Sequence, residues 1–209
     1  MKFYDCAVAP SPRRVRIFLA EKGLTVPTVQ IDLRNGEQFS PAFRAVNPEC
    51  TVPVLALDEG ATLSDSIAIC LYLEECHPQP PLMGIGAYDK ALVAEWQRRA
   101  ERDGMSAMAE AFRNATPAFK QRALPGASEY AQIPALAERG RARVQQFFRM
   151  MNARLAEHEF VAGERYTVAD ITTLVAVDFA GWIKLAIPDD CANLRRWHAQ
   201  VGARPSAKA

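Results

Sequence analysis

Two short segments hold residue types that could bind a small polar ligand. The first is Asn47-Pro48-Glu49-Cys50-Thr51-Val52-Pro53-Val54-Leu55. A proline removes a ladder donor, so Pro53 sits awkwardly in a strand. It fits if Val52 turns its backbone groups outward, where a ligand with peptide bonds could pair as an extra short strand. A plain edge strand with a turn is the other account. The second segment is Asp65-Ser66-Ile67-Ala68-Ile69, directly after an apolar run. An acid and a hydroxyl in a first helical turn satisfy free amides and suit the helix dipole. The same helix end can take a carboxylate on its N–H groups and the Ser66 hydroxyl, with an ammonium group beside Asp65. A γ-glutamyl moiety carries both groups. Capping alone also explains the pair.

Other reactive groups point to less. The five cysteines (Cys6, Cys50, Cys70, Cys76 and Cys191) are odd in number and scattered, with no C-x-x-C. They read as free thiols of a reducing, cytoplasmic compartment. His77, His158 and His198 lie far apart and none is at ligand spacing from a cysteine, so no metal site is supported. Met105, Met108 and Phe112 share a helix face that reads as core first and pocket second, although methionines adapt to varied apolar ligands. Phe179 and Trp182 are further pocket candidates.

Charge and hydropathy exclude some partners. With 25 basic and 24 acidic residues, no net field favours nucleic acid or an anionic membrane. The cluster Arg13, Arg14 and Arg16 is short and lies inside a helical pattern. No signal-like segment opens the chain. The most apolar stretch, Val168 to Ile187, carries Asp170, Asp178 and Lys184, which reads as a buried helix rather than a membrane span.

The elements that must position these groups follow from periodicity. Lys2 to Val8 reads as a strand. Pro12 to Lys22 reads as a helix with Ser11 as N-cap and Gly23 as stop. Thr28 to Leu33 alternates as a half-buried strand, and Ser40-Pro41 opens a short helix ended by Asn47-Pro48. Pro53 to Leu57 and Ala61 to Leu63 form a hairpin, and Ser64 caps a helix running to His77-Pro78. The order is βαβαββα. A proline- and glycine-rich linker spans about residues 78–87. Beyond it only helical patterns remain: Tyr88 to Asn114, Ile133 to Ala156, Val168 to Leu185 and Ala192 to Val201. Mixed elements followed by helices alone imply two domains, placed at 1–80 and 87–209.

Gln38-Phe39, Asn47-Pro48, Val52-Pro53 and Asp65-Ser66, in this order, resemble the zeta, phi and theta-type glutathione transferases. The opening Ser11-Pro12-Arg13-Arg14-Val15-Arg16 is similar to that family's first helix. Glu95-Trp96, Arg98-Arg99 and Gly163 to Asp170 extend the likeness along nearly the whole chain. The resemblance implies a thioredoxin-like α/β domain that holds glutathione and an all-helical domain that shapes a pocket for a small apolar electrophile. It also implies a homodimer, a cis peptide before Pro53, and glutathione contacts from Gln38, the Val52-Pro53 turn, Asp65 and Ser66. The implied reaction is attack of the glutathione thiolate on the electrophile. Isomerisation or peroxide reduction on the same site, and a binding module without chemistry, are the alternatives.

One departure bears on the chemistry. A free thiol has a pKa of about 8.5, so the protein must favour the thiolate. The family's activating serine or cysteine aligns with Ala9, which donates nothing. Ser11 is the nearest hydroxyl and is the expected activating residue, with capping as its alternative role and backbone N–H groups near it as a third means. Tyr4 ranks lower because it lies within the first strand. Cys50 stands where many members have glycine; it reads as an ordinary reduced thiol, with mixed-disulfide formation as the alternative. Thr167 and Asp170 read as a capping box for a buried helix, with Tyr166 and Ile171 as its staple, and losing Asp170 is expected to cost about 1 kcal/mol or more.

Overall fold

A computed structural model describes residues 1–209, which divide into two compact units. The first comprises Met1–Pro80 with Leu124–Glu129 and Ala209; the second comprises Pro81–Ala123 and Tyr130–Lys208.

The first unit is built on four strands: β1 (Lys2–Asp5), β2 (Thr28–Gln30), β3 (Val54–Ala56) and β4 (Thr62–Leu63). They form one sheet in the order β2-β1-β3-β4. β2 runs parallel to β1, while β3 and β4 are antiparallel additions. Helices α1 (Pro10–Glu21), α2 (Pro41–Val46) and α3 (Ser66–Cys76) complete the βαβαββα order. Strand alternation splits the core. Val54 packs with Ile31 and Phe43 of the α2 side, and Tyr4 meets Phe43 edge to face at 6.0 Å. Their neighbours Phe3 and Leu55 point to the other face. Val15, Ile17 and Phe18 of α1 and Ile69 and Leu73 of α3 are fully buried there or nearby. α1 and α3 pack on each other. A buried ion pair locks their far ends: Lys22 Nζ lies 2.5 Å from Glu74 Oε2 and also donates to the carbonyls of His77 and Pro80. A cation is well placed beside carbonyls that follow a helix C-terminus.

Two expected caps are displaced. α1 starts at Pro10, with Ala9 rather than Ser11 at the N-cap and no side-chain cap bond. Both Pro10 and Pro12 fit the first turn, since early helical N–H groups have no partner to lose. Ser11 therefore lies one step inside the helix. α3 is capped by Asp65, not Ser64. The carboxylate wins because one oxygen accepts from Ile67 N at 2.8 Å and Ala68 N at 2.9 Å.

The second unit is helical: α4 (Gly86–Arg99), α5 (Ser106–Ala115), α6 (Pro134–Glu157), α7 (Val168–Ala180) and α8 (Ala192–Gly202). The pattern from Tyr88 to Asn114 is broken by a π-helical stretch at Ala100–Met105. Gly104 lies within it, where a Cβ would come 2.8 Å from the Phe147 ring and 3.1 Å from Ala176 Cβ. The widened turn and the missing side chain let α6 and α7 approach closely. α7 ends earlier than its apolar run, passing into a short 3₁₀ turn at Gly181–Ile183 and a left-handed Lys184. Only Asp178 of its 13 residues is not buried. No helix is long and apolar enough to cross a membrane.

The capping box on α7 forms. Asp170 accepts from Thr167 N and Thr167 Oγ1, from Val161 N and from Trp197 Nε1 at 2.9 Å. Burial pushes its carboxyl up to about 6, against the pull of these donated bonds.

Candidate active site

The start of α1 is unusually poor in side-chain chemistry and left open. Pro10 and Pro12 have no N–H, and Arg13 N donates to Ala9 O. The Ser11 amide is therefore the one free backbone donor at this helix end. The Ser11 hydroxyl is half-buried and makes no hydrogen bond within the chain. Tyr4 packs edge to face on Phe43.

The loop leading to Ser11 is tied down by groups that sequence patterning did not single out. Asp5 is a carboxylate only 1 % exposed. Arg16 Nη1 donates to it at 2.6 Å and Gln30 Nε2 at 2.7 Å. Arg16 Nη2 also donates to Ala7 O at 2.9 Å, while Ala7 N donates to Gln30 Oε1 at 2.9 Å. The one signal available beforehand was a charged residue ending an apolar strand. A pocket of about 280 Å³, lined by Cys6, Ala7, Val8, Gln30, Asp32 and Arg34 among others, opens beside this loop.

Val52 and its surroundings form the second element. The Val52-Pro53 peptide is cis, and β3 begins only at Val54. Neither the N–H nor the C=O of Val52 bonds to any group of the chain. Buried Asn47 sets this display: its Nδ2 donates to Thr51 O at 2.9 Å and Thr51 Oγ1 at 3.1 Å, and its Oδ1 accepts from Glu49 N. Cys50 is buried in the same turn with φ 56°, in the left-handed region. Its Sγ lies 3.5 Å from Pro48 O. Gln38, on a 3₁₀ turn at Glu37–Phe39, is 5 % exposed. Its buried Oε1 has no partner, a state that costs free energy unless something else supplies a donor.

The start of α3 is the third element. Oδ1 of Asp65 takes the Ile67 and Ala68 amides, and Ile69 N donates to Asp65 O. This leaves the Ser66 N–H and Asp65 Oδ2 unengaged, a donor and an anion side by side. The Ser66 hydroxyl, expected to face a ligand, is committed inward: it donates to Ser11 O at 3.1 Å and accepts from Arg14 Nη2 at 3.1 Å. It is 2 % exposed. Ser66 thus ties the start of α3 to the start of α1.

In the second unit, Met105 and Met108 are buried, which selects the core reading for both. Phe112 belongs instead to a four-ring cluster. Its ring centroid lies 5.3 Å from Phe119, 5.5 Å from Phe179 and 5.2 Å from Trp182, all edge to face. Trp182 is 49 % exposed and gives the cluster an open side. Arg113 stacks on Phe119 at 4.4 Å, and desolvation pulls its guanidinium down to about 10.

Comparison with known proteins agrees along the chain. The family model of the glutathione S-transferase N-terminal domain matches residues 9–76, and that of the C-terminal domain matches residues 107–205. The chain is 34 % identical to glutathione S-transferase 2 of Saccharomyces cerevisiae over 210 aligned positions, spanning 100 % of this chain and 88 % of that protein. Over 110 positions it is 41 % identical to maleylacetoacetate isomerase of Pseudomonas aeruginosa, covering 52 % of this chain and 48 % of that one. Among solved structures, a glutathione S-transferase domain-containing protein of Marinobacter aquaeolei superposes with a TM-score of 0.91 at 40 % identity, covering 99 % of both chains.

Proposed function

Because this chain belongs to the glutathione S-transferase family, we propose that it transfers apolar electrophiles to glutathione. The carrying observation is the free backbone of Val52, flanked by a turn that Asn47 holds rigid. A cysteinyl peptide group supplies the C=O and N–H partners that the Val52 N–H and C=O lack. The γ-glutamyl end suits the unengaged Ser66 N–H, which takes its carboxylate, and Asp65 Oδ2, which takes its ammonium. Gln38 Oε1 awaits a donor, and a peptide amide of the ligand provides one. Residues 1–80 are then the glutathione-holding domain, and residues 87–209 supply the pocket for the second substrate.

With Ala9 at the usual activating position, sulfur is served by the Ser11 amide and hydroxyl and by the dipole of α1. These donors need only stabilise charge. The thiol proton leaves to solvent, a sulfur lone pair attacks the electrophilic carbon, and the leaving group departs with its bonding pair. The reading includes a cytoplasmic detoxifying role, in keeping with five free thiols. It also includes a homodimer, for which half-exposed Leu71 on α3 and exposed Tyr88 on α4 are available apolar groups.

Calorimetric titration with glutathione, followed by turnover of an aryl halide, tests the proposal. Binding with conjugation is expected; no heat at millimolar glutathione overturns it. Glutathione-dependent cis–trans isomerisation is the second reading, supported by the likeness to the Pseudomonas isomerase. Turnover of a cis-alkene diacid without conjugation of the aryl halide would select it.

A further inference from the structure

We infer that Arg16 and Gln30 are positioning residues which set the ionisation of the bound thiol by fixing the loop from Cys6 to Ala9. The inference rests on the transferase reading above.

With alanine at residue 9, no side chain in this loop donates to sulfur. Activation then depends on the Ser11 hydroxyl and on backbone dipoles, and a backbone donor is effective only when its direction is fixed. The loop meets that need. Arg16 Nη1 reaches Cys6 O at 3.4 Å, and its Nη2 reaches Ala7 O at 2.9 Å. Gln30 Oε1 takes the Ala7 amide at 2.9 Å, and Ala9 N donates to Cys6 O at 2.9 Å. The loop carbonyls of Cys6 and Ala7 are thus bound to a guanidinium and cannot turn toward a thiolate. Asp5 is the hub. It is almost fully buried, and its two oxygens orient Arg16 and Gln30 separately. A buried carboxylate with one guanidinium and one amide donor is a rigid, directional junction. Ordinary packing of β1 against α1 does not need it, because apolar residues would serve as well.

Losing Gln30 frees the Ala7 amide and one Asp5 oxygen. Losing the Arg16 fork frees the Cys6 and Ala7 carbonyls. Either lets the loop carry the Ser11 amide out of line. Both changes disfavour the thiolate. The effect falls on ionisation, while Val52, Asp65 and the Ser66 amide still hold the tripeptide.

The test uses Gln30→Met and Arg16→Lys, with the pKa of glutathione bound to each read from the ultraviolet absorbance of the thiolate. Gln30→Met is the deciding variant: Gln30 is exposed, and its loss leaves Asp5 paired to Arg16, so the fold is retained. Expected is a rise of about one pKa unit, a tenfold loss of thiolate below that pKa. At acidic pH kcat falls by about the same factor and recovers as pH rises, while KM for glutathione changes less than about threefold. A purely structural role would lower the melting temperature and leave the thiol titration in place, and that result overturns the inference. If unaltered protein shows no thiolate signal with glutathione, the transferase reading falls and takes this role with it. If unaltered protein titrates normally and both variants match it, only the clamp is refuted.

Discussion

The helix starts at α7 and α1 sit at opposite extremes. At α7, Asp170 receives four donors and lies wholly buried. At α1, the cap residue is Ala9, which contributes no side-chain bond. The Ser11 amide and hydroxyl, just inside, stay unengaged. A helix end that satisfies all of its own groups has nothing to offer a ligand. One that leaves a donor free has accepted a stability cost, since a good cap is worth about 1 kcal/mol. The start of α3 combines the two. Asp65 Oδ1 caps, while Asp65 Oδ2 and the Ser66 amide remain open.

The comparison breaks most visibly at Asp170. Asp170→Ala strands the Thr167 and Val161 amides and the Trp197 indole N–H in a dry interior. A loss of about 3 kcal/mol or more is expected in urea unfolding. If the loss is no greater than that of an exposed cap, about 1 kcal/mol, the closed network is not what holds α7.

The same residue makes stability depend on pH. Its folded pKa, raised to about 6 by burial, exceeds the ordinary value of 3.8. Between those values the folded state binds more protons than the unfolded chain. Its stabilising contribution is therefore complete below pH 3.8, declines as pH rises through 6, and stays low above. The stability advantage of the natural protein over Asp170→Asn should shrink by about 3 kcal/mol from pH 3.5 to pH 7.5. A constant difference would place the carboxyl's pKa near its ordinary value.

At the open ends, effects move from folding to turnover. Ser11→Ala should lower kcat about tenfold, about 1.4 kcal/mol in the barrier, with glutathione affinity and unfolding free energy nearly unchanged. Equal turnover would leave activation to the Ser11 amide alone. Asp65→Ala acts on both sides: loss of the cap costs about 1 kcal/mol of stability, and loss of the ammonium partner weakens glutathione binding about tenfold. Calorimetry and thermal melts on the same samples separate the two.

Strand and helix order is legible in the sequence because punctuation and period agree: prolines and glycines fall between runs of clear periodicity. The capping box is legible for the same reason, since Thr167 and Asp170 are local partners. Ser11 and Ser64 mislead as caps because competing residues lie one or two positions away, and only backbone geometry chooses among them. The inward turn of the Ser66 hydroxyl is not legible. Its partners, Ser11 O and Arg14, lie more than fifty residues distant. Asp5, Arg16 and Gln30 are hidden likewise: each fits its own element as an ordinary residue, and their junction exists only after β1, α1 and β2 meet.

Cys50 offers the smallest and sharpest contrast with these helix ends, because there the free energy lies in the backbone. Its φ of 56° suits glycine, and an L-residue in this region costs about 1 kcal/mol. Cys50→Gly removes that strain but adds backbone freedom to the unfolded chain and deletes a buried side chain, terms of about the same size. The net change in unfolding free energy should stay within about 1 kcal/mol, with the Asn47–Thr51 bonds intact and glutathione binding preserved. Cys50→Val should cost more, since a β-branched residue tolerates positive φ poorly. Were valine accepted as readily as glycine, the left-handed turn that presents Val52 would owe nothing to residue 50, and Asn47 alone would hold it.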